Sequence, residues 1–148
     1  MSIAHAVAVA VIFGWLGMVV AISFIEAPLK FRAPGVSLQV GLGIGRLVFR
    51  ALNTVEAALA VTLLIAIAID PPLLGAIAAV TVAVVMLAAQ LLAVRPRLHR
   101  RSDAVLATPL SAASAGSSRR SRAHYGYVAL EGMKVAALLA AGTALLAT

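Results

Sequence analysis

Two pairs of polar residues interrupt apolar stretches of this sequence, and they are the residues best suited to chemistry. Asn53 and Glu56 form one pair, and Glu131 and Lys134 form the other, each at i,i+3 spacing. This spacing places both members of a pair on one face of a helix. Two carboxylates can accept protons or bind a cation, and the ammonium group of Lys134 supplies a counter-charge. These four residues are therefore candidates for an ion, proton or small-solute site.

Placing these polar groups within apolar, membrane-spanning stretches costs free energy. A charged side chain near the centre of a membrane-spanning helix costs about 2.5–3.5 kcal/mol on insertion scales. Such groups are expected to face the interior of a helix bundle and to find partners there. Glu26 and Gln90 lie near the ends of two other apolar stretches. We therefore predict one polar pocket that combines all six residues and opens toward the cytoplasm.

A structural role for the same residues is the alternative. A buried Glu–Lys ion pair, together with hydrogen bonds from Asn and Gln, can fix the register of neighbouring helices without binding anything. The sequence leaves both interpretations open.

The elements that must position these residues are membrane-spanning helices. Hydrophobic residues make up 63% of the 148 residues and charged residues 11%, whereas soluble domains have about 25% charged residues. A span needs about 20 apolar residues. Four runs are long enough, at residues 3–25, 47–69, 73–94 and 125–147. The sequence predicts an all-α, four-helix transmembrane bundle formed by a single domain, 1–148, and excludes an ordinary soluble enzyme, a disordered tail and a coiled coil.

Basic residues are concentrated on one side of this bundle. All of the 12 Lys and Arg residues except Lys134 lie in or beside two loops, 26–46 and 95–124. The short loop at 70–72 has none. The positive-inside rule places the two basic loops in the cytoplasm and both termini outside, in a protein expected in the cell membrane. Because topology accounts for the net charge of +7, no nucleic-acid partner is predicted. Anionic lipid headgroups at the cytoplasmic face are the expected partners.

Aromatic and basic residues at the cytoplasmic ends of the spans fit an interfacial role. Arg and Tyr side chains at this depth contact lipid phosphates or anchor a helix in the headgroup region. The candidates are Arg46, Arg50, His124, Tyr125 and Tyr127.

Two glycine-rich segments predict close packing. The run Gly41-Leu42-Gly43-Ile44-Gly45-Arg46 precedes a span and suits a helix contact or, as an alternative, a lipid phosphate. It lacks the preceding strand and the final glycine of a dinucleotide-binding motif. Gly14 and Gly17 flank Trp15, which predicts close helix packing around the indole.

The loops make two further predictions. The Asp70-Pro71-Pro72 turn is tight, so the second and third spans should be antiparallel neighbours. The apolar loop 26–46 either lies at the membrane interface or contains an early extension of the second helix that begins near Ser37.

A weak repeat relates the two halves of the chain. At an offset of 78 residues, Asn53 aligns with Glu131 and Glu56 with Lys134. Spans one and three both lead through a proline, Pro28 or Pro96, into basic residues. Two pseudo-repeated helix hairpins, as in some transporters, are one interpretation of the bundle. Chance similarity between apolar helices is the other.

Metal and cofactor chemistry has little support in the sequence. The absence of cysteine excludes disulfides and thiolate ligands, and the Glu-x-x-His repeats of two-metal bundles are missing. No metal site or cofactor is predicted. Haem ligation by His5, or by His99 with His124, is retained as an alternative to an interfacial role of these histidines.

The chain resembles the small four-span proteins related to transmembrane protein 205. The likeness covers most of the chain and rests on Trp15-Leu16-Gly17, on Phe24, Pro28 and Phe31, on Gly45-Arg46-Leu47-Val48-Phe49, and on Asn53 and His124. The chain is also faintly similar to protoporphyrinogen oxidases of the HemJ type and copper proteins of the CopD type. Those proteins rely on a histidine within the first span, where this chain offers only His5. The resemblance implies a four-helix architecture and adds little about chemistry.

Three functions follow as hypotheses. The first is movement of an ion, a proton or a small solute through a cytoplasm-facing intramembrane site, without enzymatic activity. The second is a membrane oxidoreductase or haem-binding protein, and the third is a structural or assembly subunit. Because 148 residues form only a narrow path, we expect a homo-oligomer or a membrane partner subunit.

Overall fold

The chain folds into four long helices in a computed structural model that describes residues 2–94, 100, 107 and 122–147. Helix α1 spans Ile3–Arg32, α2 spans Leu38–Ile69, and α4 spans Arg122–Leu146. Helix α3 spans Leu74–Ala89 and continues as a π-helical segment, Gln90–Val94. No strand occurs within the described ranges. The predicted all-α class is confirmed.

Helix α1 changes its winding along its length. Its first part, Ile3–Val19, is an α-helix capped by Ser2, whose Oγ accepts a hydrogen bond from the His5 backbone N–H at 3.0 Å. The next segment, Val20–Glu26, is π-helical and runs into Pro28. Because proline has no N–H and its ring crowds the preceding turn, regular α-helical bonding cannot continue through this position. A 3-10 turn, Lys30–Arg32, ends the helix.

The segment predicted as a loop at 26–46 is largely helical. Helix α1 continues to Arg32, and α2 begins at Leu38 instead of the predicted residue 47. Ser37 caps α2 by accepting a hydrogen bond from the Val40 N–H at 3.3 Å, so the predicted extension from near Ser37 is confirmed. The short connection turns at Gly35, whose φ of 79° favours glycine. The predicted loop was wrong because apolar residues after a good cap prolong a helix beyond the length that a membrane requires.

The two ends of the bundle differ in chemistry. We call the end that carries Lys30, Arg46 and Arg50 the basic end. The opposite end, which we call the hairpin end, holds the start of α1 and the turn after α2. There the Ser2 hydroxyl donates a hydrogen bond to the Asp70 carboxylate. The described residues thus confirm that the helices alternate in direction.

The four helices pack on one another to different extents. Helices α3 and α4 have the most extensive contact among the described residues, and α1 packs against both α2 and α4. Helices α2 and α3 make few contacts, although the Pro71-Pro72 turn joins them. They are antiparallel and in contact, as predicted, but the contact is loose, because a tight turn fixes only the ends of the helices and α3 packs more extensively on α4.

The predicted pseudo-repeat stays a prediction. Two hairpins related by a two-fold axis would make the α1–α4 contact equivalent to the α2–α3 contact. In the structure α1 and α4 pack more extensively than α2 and α3.

Both glycine-rich segments lie where helices pack closely, but the glycines differ in what they contact. A Cβ atom at Gly41 would clash with the ring of Phe31, so the end of α1 packs directly on this glycine. By contrast, a Cβ at Gly14 or Gly17 would meet nothing within 4 Å. The predicted close packing around the indole is confirmed, since Trp15 is fully buried, but the two glycines lie outside it.

The outer surface of the bundle is apolar. Large exposed hydrophobic residues occur on all four helices, including Leu47, Ile69, Leu74 and Leu146, each at least 62% exposed. Exposed threonines donate their hydroxyl groups to carbonyls of their own helix, as Thr62 does to Ala58 at 3.0 Å and Thr81 to Ile77 at 2.8 Å. By length and composition, all four helices can cross a membrane. This composition indicates a multi-pass membrane protein.

Candidate functional site

A cluster of polar side chains lies inside the bundle, and we call it the buried cluster. Its members are at most 4% exposed, although such residues are rarely buried. They are Asn53, Glu56, Gln90, Glu131 and Lys134. Five of the six residues predicted for the pocket are therefore buried in the interior of the bundle.

Lys134 is the centre of this cluster. Its ammonium group forms an ion pair with Glu56 and lies 3.0 Å from Oε2 of Glu131. It also donates a hydrogen bond of 2.8 Å to Oε1 of Gln90. An ammonium group carries three N–H donors, and three oxygen atoms surround this one, Oε2 of Glu131 through an ion pair alone. The charge is thereby compensated within the bundle.

Two residues that the sequence analysis did not assign to the site complete it. The indole N–H of Trp15 donates a hydrogen bond of 2.8 Å to Oε1 of Glu56. The hydroxyl of Ser23 donates to Oε1 of Glu131 at 3.3 Å. A tryptophan within an otherwise apolar run was the available signal for the first contact, since a buried indole N–H needs an acceptor. Ser23 had no comparable signal.

The π-helical segments bring polar residues to the cluster. Ser23 lies within the π-helical part of α1, and Gln90 begins the π-helical part of α3. A π-helical turn contains an extra residue, which shifts the face on which the following side chains lie, and such turns are frequent at functional sites. As a result, all four helices contribute a polar side chain to one place.

The charges in the cluster do not balance. Glu56 and Glu131 carry two negative charges in their ionised forms, whereas Lys134 carries one positive charge. Several buried polar atoms also have no hydrogen-bond partner among the described residues. In the cluster these are Oδ1 of Asn53, Oε2 of Glu56, Nε2 of Gln90 and Oε2 of Glu131, which has only its ion pair with Lys134. A buried group with unused hydrogen-bonding capacity is costly, so this cluster has the charge and the free acceptors to take up a proton.

The cluster lies deep in the bundle. Lys134 is in the middle of α4, roughly 18 Å from either end at 1.5 Å per residue. Toward the hairpin end the interior is filled by buried apolar side chains, among them Ile12, Leu63, Val80 and Leu138. The expectation of a pocket open toward the cytoplasm is not met in this conformation. The side chains of Glu56, Gln90 and Glu131 contact the ammonium group of Lys134 directly and fill the space around it.

Glu26 does not join the cluster. Its carboxylate pairs with Lys30 at 3.3 Å, one helical turn away, and its side chain is 34% exposed. The prediction was wrong for this residue because the i,i+4 partner at the end of α1 is closer than Lys134.

The predicted interfacial residues lie at the basic end where they are described. Arg50 is exposed and Arg46 is half-buried, both on the first part of α2. Tyr127 is half-buried and packs edge-to-face against Phe49. The side chains of His124 and Tyr125, like all of His99, lie outside the described residues. Their predicted role at the membrane interface stays a prediction.

The histidine nearest the other end already has a contact. Nε2 of His5 lies 3.0 Å from the carbonyl oxygen of Leu145 at the hairpin end. Within the described ranges, no group of three His, Cys, Asp or Glu residues is placed to hold a metal ion. Haem binding through His5 or the other histidines stays a prediction.

No family model matches this chain, and no curated protein or solved structure is significantly similar to it.

The charge imbalance predicts unequal effects of two substitutions. Lys134→Met leaves two buried carboxylates without a counter-charge, so we expect a loss of about 3–5 kcal/mol in unfolding free energy. Glu56→Gln keeps the shape of the side chain and leaves a balanced Glu131–Lys134 pair, so its loss should be clearly smaller. Denaturant unfolding in detergent micelles measures both variants. An equal or larger loss for Glu56→Gln would contradict the charge count.

Proposed function

We propose that this protein moves protons across a cell membrane, with Glu56 and Glu131 as the proton-binding groups and Lys134 as their counter-charge. The observation that carries the proposal is the buried cluster of two carboxylates and one ammonium, joined to all four helices. Ionisable groups of this kind inside a membrane protein commonly mark proton or ion pathways.

A proton suits this site better than a metal cation or a solute. One proton on either carboxylate makes the cluster neutral, which a low-dielectric interior favours. A metal cation would need a shell of several oxygen ligands, and the position between the two carboxylates is already filled by the ammonium group of Lys134. A proton needs only a free oxygen lone pair, and Oε2 of Glu56 has no hydrogen-bond partner among the described residues.

The neighbours of the carboxylates give them different roles. Glu56 accepts hydrogen bonds from Trp15 and Lys134 through one oxygen, which leaves its second oxygen for the proton. Glu131 is held by Ser23 and Lys134, on the same helix face as the lysine. Uptake of a proton at Glu56 weakens its ion pair with Lys134, and Glu131 and Gln90 then hold the ammonium in place. Release of the proton restores the three-way contact.

Proton flux into proteoliposomes tests this proposal. A pH-sensitive dye inside the vesicles should report flux driven by a potassium-diffusion potential in the wild-type protein. The variant Glu56→Gln/Glu131→Gln/Lys134→Met removes every formal charge from the cluster while nearly preserving its volume. We expect it to remain folded and to lose the flux. Replacing only Glu56 and Lys134 would leave Glu131 as an unpaired carboxylate, so the triple variant is the cleaner test.

Asp70→Asn is the matched control. It also removes a carboxylate, but at the hairpin end, where Asp70 bonds Ser2, and its flux should equal that of the wild type. Thermal melting and elution as a single species in detergent show whether each variant is folded. Flux that persists in a folded triple variant would reject the proposal. If a cellular phenotype of the gene also persisted in that variant, a structural or assembly role would be favoured.

We further propose that the basic end faces the cytoplasm. Arg46 and Arg50 lie at this end, where their side chains can contact anionic lipid headgroups. Both termini then face outward. Association into a homo-oligomer, or with a partner subunit, stays a prediction.

An epitope tag at the C-terminus tests this orientation. We expect antibody to bind the tag on intact cells or spheroplasts, without permeabilisation, because the end of α4 lies at the hairpin end. A second tag, inserted after residue 110, should become accessible only after permeabilisation. The reverse pattern would overturn the orientation and leave the proton site unaffected.

A further inference from the structure

Two aromatic rings lie between the buried cluster and the basic end. The rings of Phe49 and Tyr127 meet edge-to-face, with centroids 5.6 Å apart and planes at 82°. Phe49 precedes Asn53 by four residues and Glu56 by seven, so all three share one face of α2. On α4, Tyr127 has the same spacing before Glu131 and Lys134. We call Phe49 and Tyr127 the ring pair.

The ring pair spans a gap between helices that do not pack closely. Helices α2 and α4 make few close backbone contacts, because α1 and α3 lie between them. Long side chains therefore fill the space, with Glu56 and Lys134 at one level and the ring pair at the next level toward the basic end. A rotation of one ring can open such a gap without any helix moving.

A lysine lies against the ring pair. Nζ of Lys30 is 5.3 Å from the centroid of the Phe49 ring, within the range of a cation–π interaction. Glu26 binds the same ammonium group at 3.3 Å, and the Lys30 side chain is only 9% exposed. A Cβ at Gly45 would lie 3.0 Å from this Nζ. The glycine therefore leaves room for the ammonium group beside α2.

We propose that the ring pair is the gate of the buried cluster toward the basic end, and that Lys30 holds Phe49 in the closed position. The inference rests on the proposed function, because it assigns the route by which water and protons reach Glu56 and Glu131. In the closed state the rings separate the cluster from the basic end. Rotation of the Phe49 side chain away from Tyr127 opens a path along the shared face of α2 and α4.

The other direction offers no comparable path. From Glu56 the same face of α2 continues through Ala60 and Leu63, and from Lys134 the face of α4 continues through Leu138 and Ala141. All four residues are buried and apolar. A path on that side forms only when helices separate, and the proposed movement of protons across the membrane needs this second opening as well. The ring pair is therefore the barrier that a change of side-chain conformation can remove.

The absence of native cysteine allows a direct test of access. Asn53→Cys places a thiol inside the gate, at a position that is 4% exposed. A membrane-impermeant anionic methanethiosulfonate, applied from the basic side of oriented vesicles, should label it slowly. Adding Phe49→Ala should raise the labelling rate by roughly threefold to tenfold, the factor that corresponds to loss of an aromatic pair. Lys30→Met should raise it by a smaller factor, because the rings remain.

A cysteine on the far side of the cluster is the matched control. Leu63→Cys is also fully buried, but it lies toward the hairpin end. Phe49→Ala should leave its labelling rate unchanged. An equal increase at both cysteines would mean general loosening of the bundle and would overturn the gate, as would an unchanged rate at Asn53→Cys. Phe49→Leu, which keeps the volume but removes the ring, repeats the test if the alanine variant does not fold.

The labelling result separates the gate from the proton proposal. Labelling reports access of water-borne reagent to the cluster and needs no proton flux. If Phe49→Ala speeds labelling at Asn53→Cys and the protein shows no proton flux, the gate is supported and proton movement is rejected as the function. If the wild type shows proton flux and Phe49→Ala does not change the labelling rate, the proton site is supported and the gate is rejected.

Discussion

The ammonium group of Lys134 sets the strongest constraint on this structure. A positive charge in the middle of an apolar helix is tolerated when acceptors surround it. Glu131 on the same helix supplies one acceptor, and Glu56 and Gln90 on two other helices supply the rest. Trp15 then ties the remaining helix to Glu56. Apolar packing brings four helices together without specifying how each is rotated about its own axis. These polar contacts specify that rotation, because each helix must direct one particular side chain into the cluster.

The same contacts can explain stability and function together. An ion pair alone would be satisfied by one carboxylate for one ammonium. The second carboxylate adds a negative charge that a single ion pair does not require, and several oxygen and nitrogen atoms of the cluster have no hydrogen-bond partner among the described residues. Binding of a proton would neutralise this extra charge, whereas the closely packed side chains leave little room for a larger ligand. The ring pair adds control over access, because it lies next to the cluster, where two aromatic side chains meet across the gap between α2 and α4.

Much of the fold could be predicted from the sequence because it depends on local properties. The length of the apolar runs gave four helices, and i,i+3 spacing placed Glu131 and Lys134, and Asn53 and Glu56, on the interior faces. Contacts that depend on the rotation of a helix could not be predicted. Glu26 lay at a plausible depth, but the change of winding in α1 directs Ser23 to the cluster and leaves Glu26 with Lys30. The weak contact between α2 and α3 likewise depends on packing with α4, which a turn sequence does not specify.

Infrared spectroscopy measures directly whether a carboxylate in the buried cluster takes up a proton. A protonated carboxylic acid has a C=O stretching band that a carboxylate lacks. In a pH-difference spectrum of the reconstituted protein, we predict such a band in an apolar environment, absent in Glu56→Gln and retained in Asp70→Asn. No band in the wild type across the pH range in which the fold is stable would contradict the account. So would a band that Glu56→Gln/Glu131→Gln leaves unchanged.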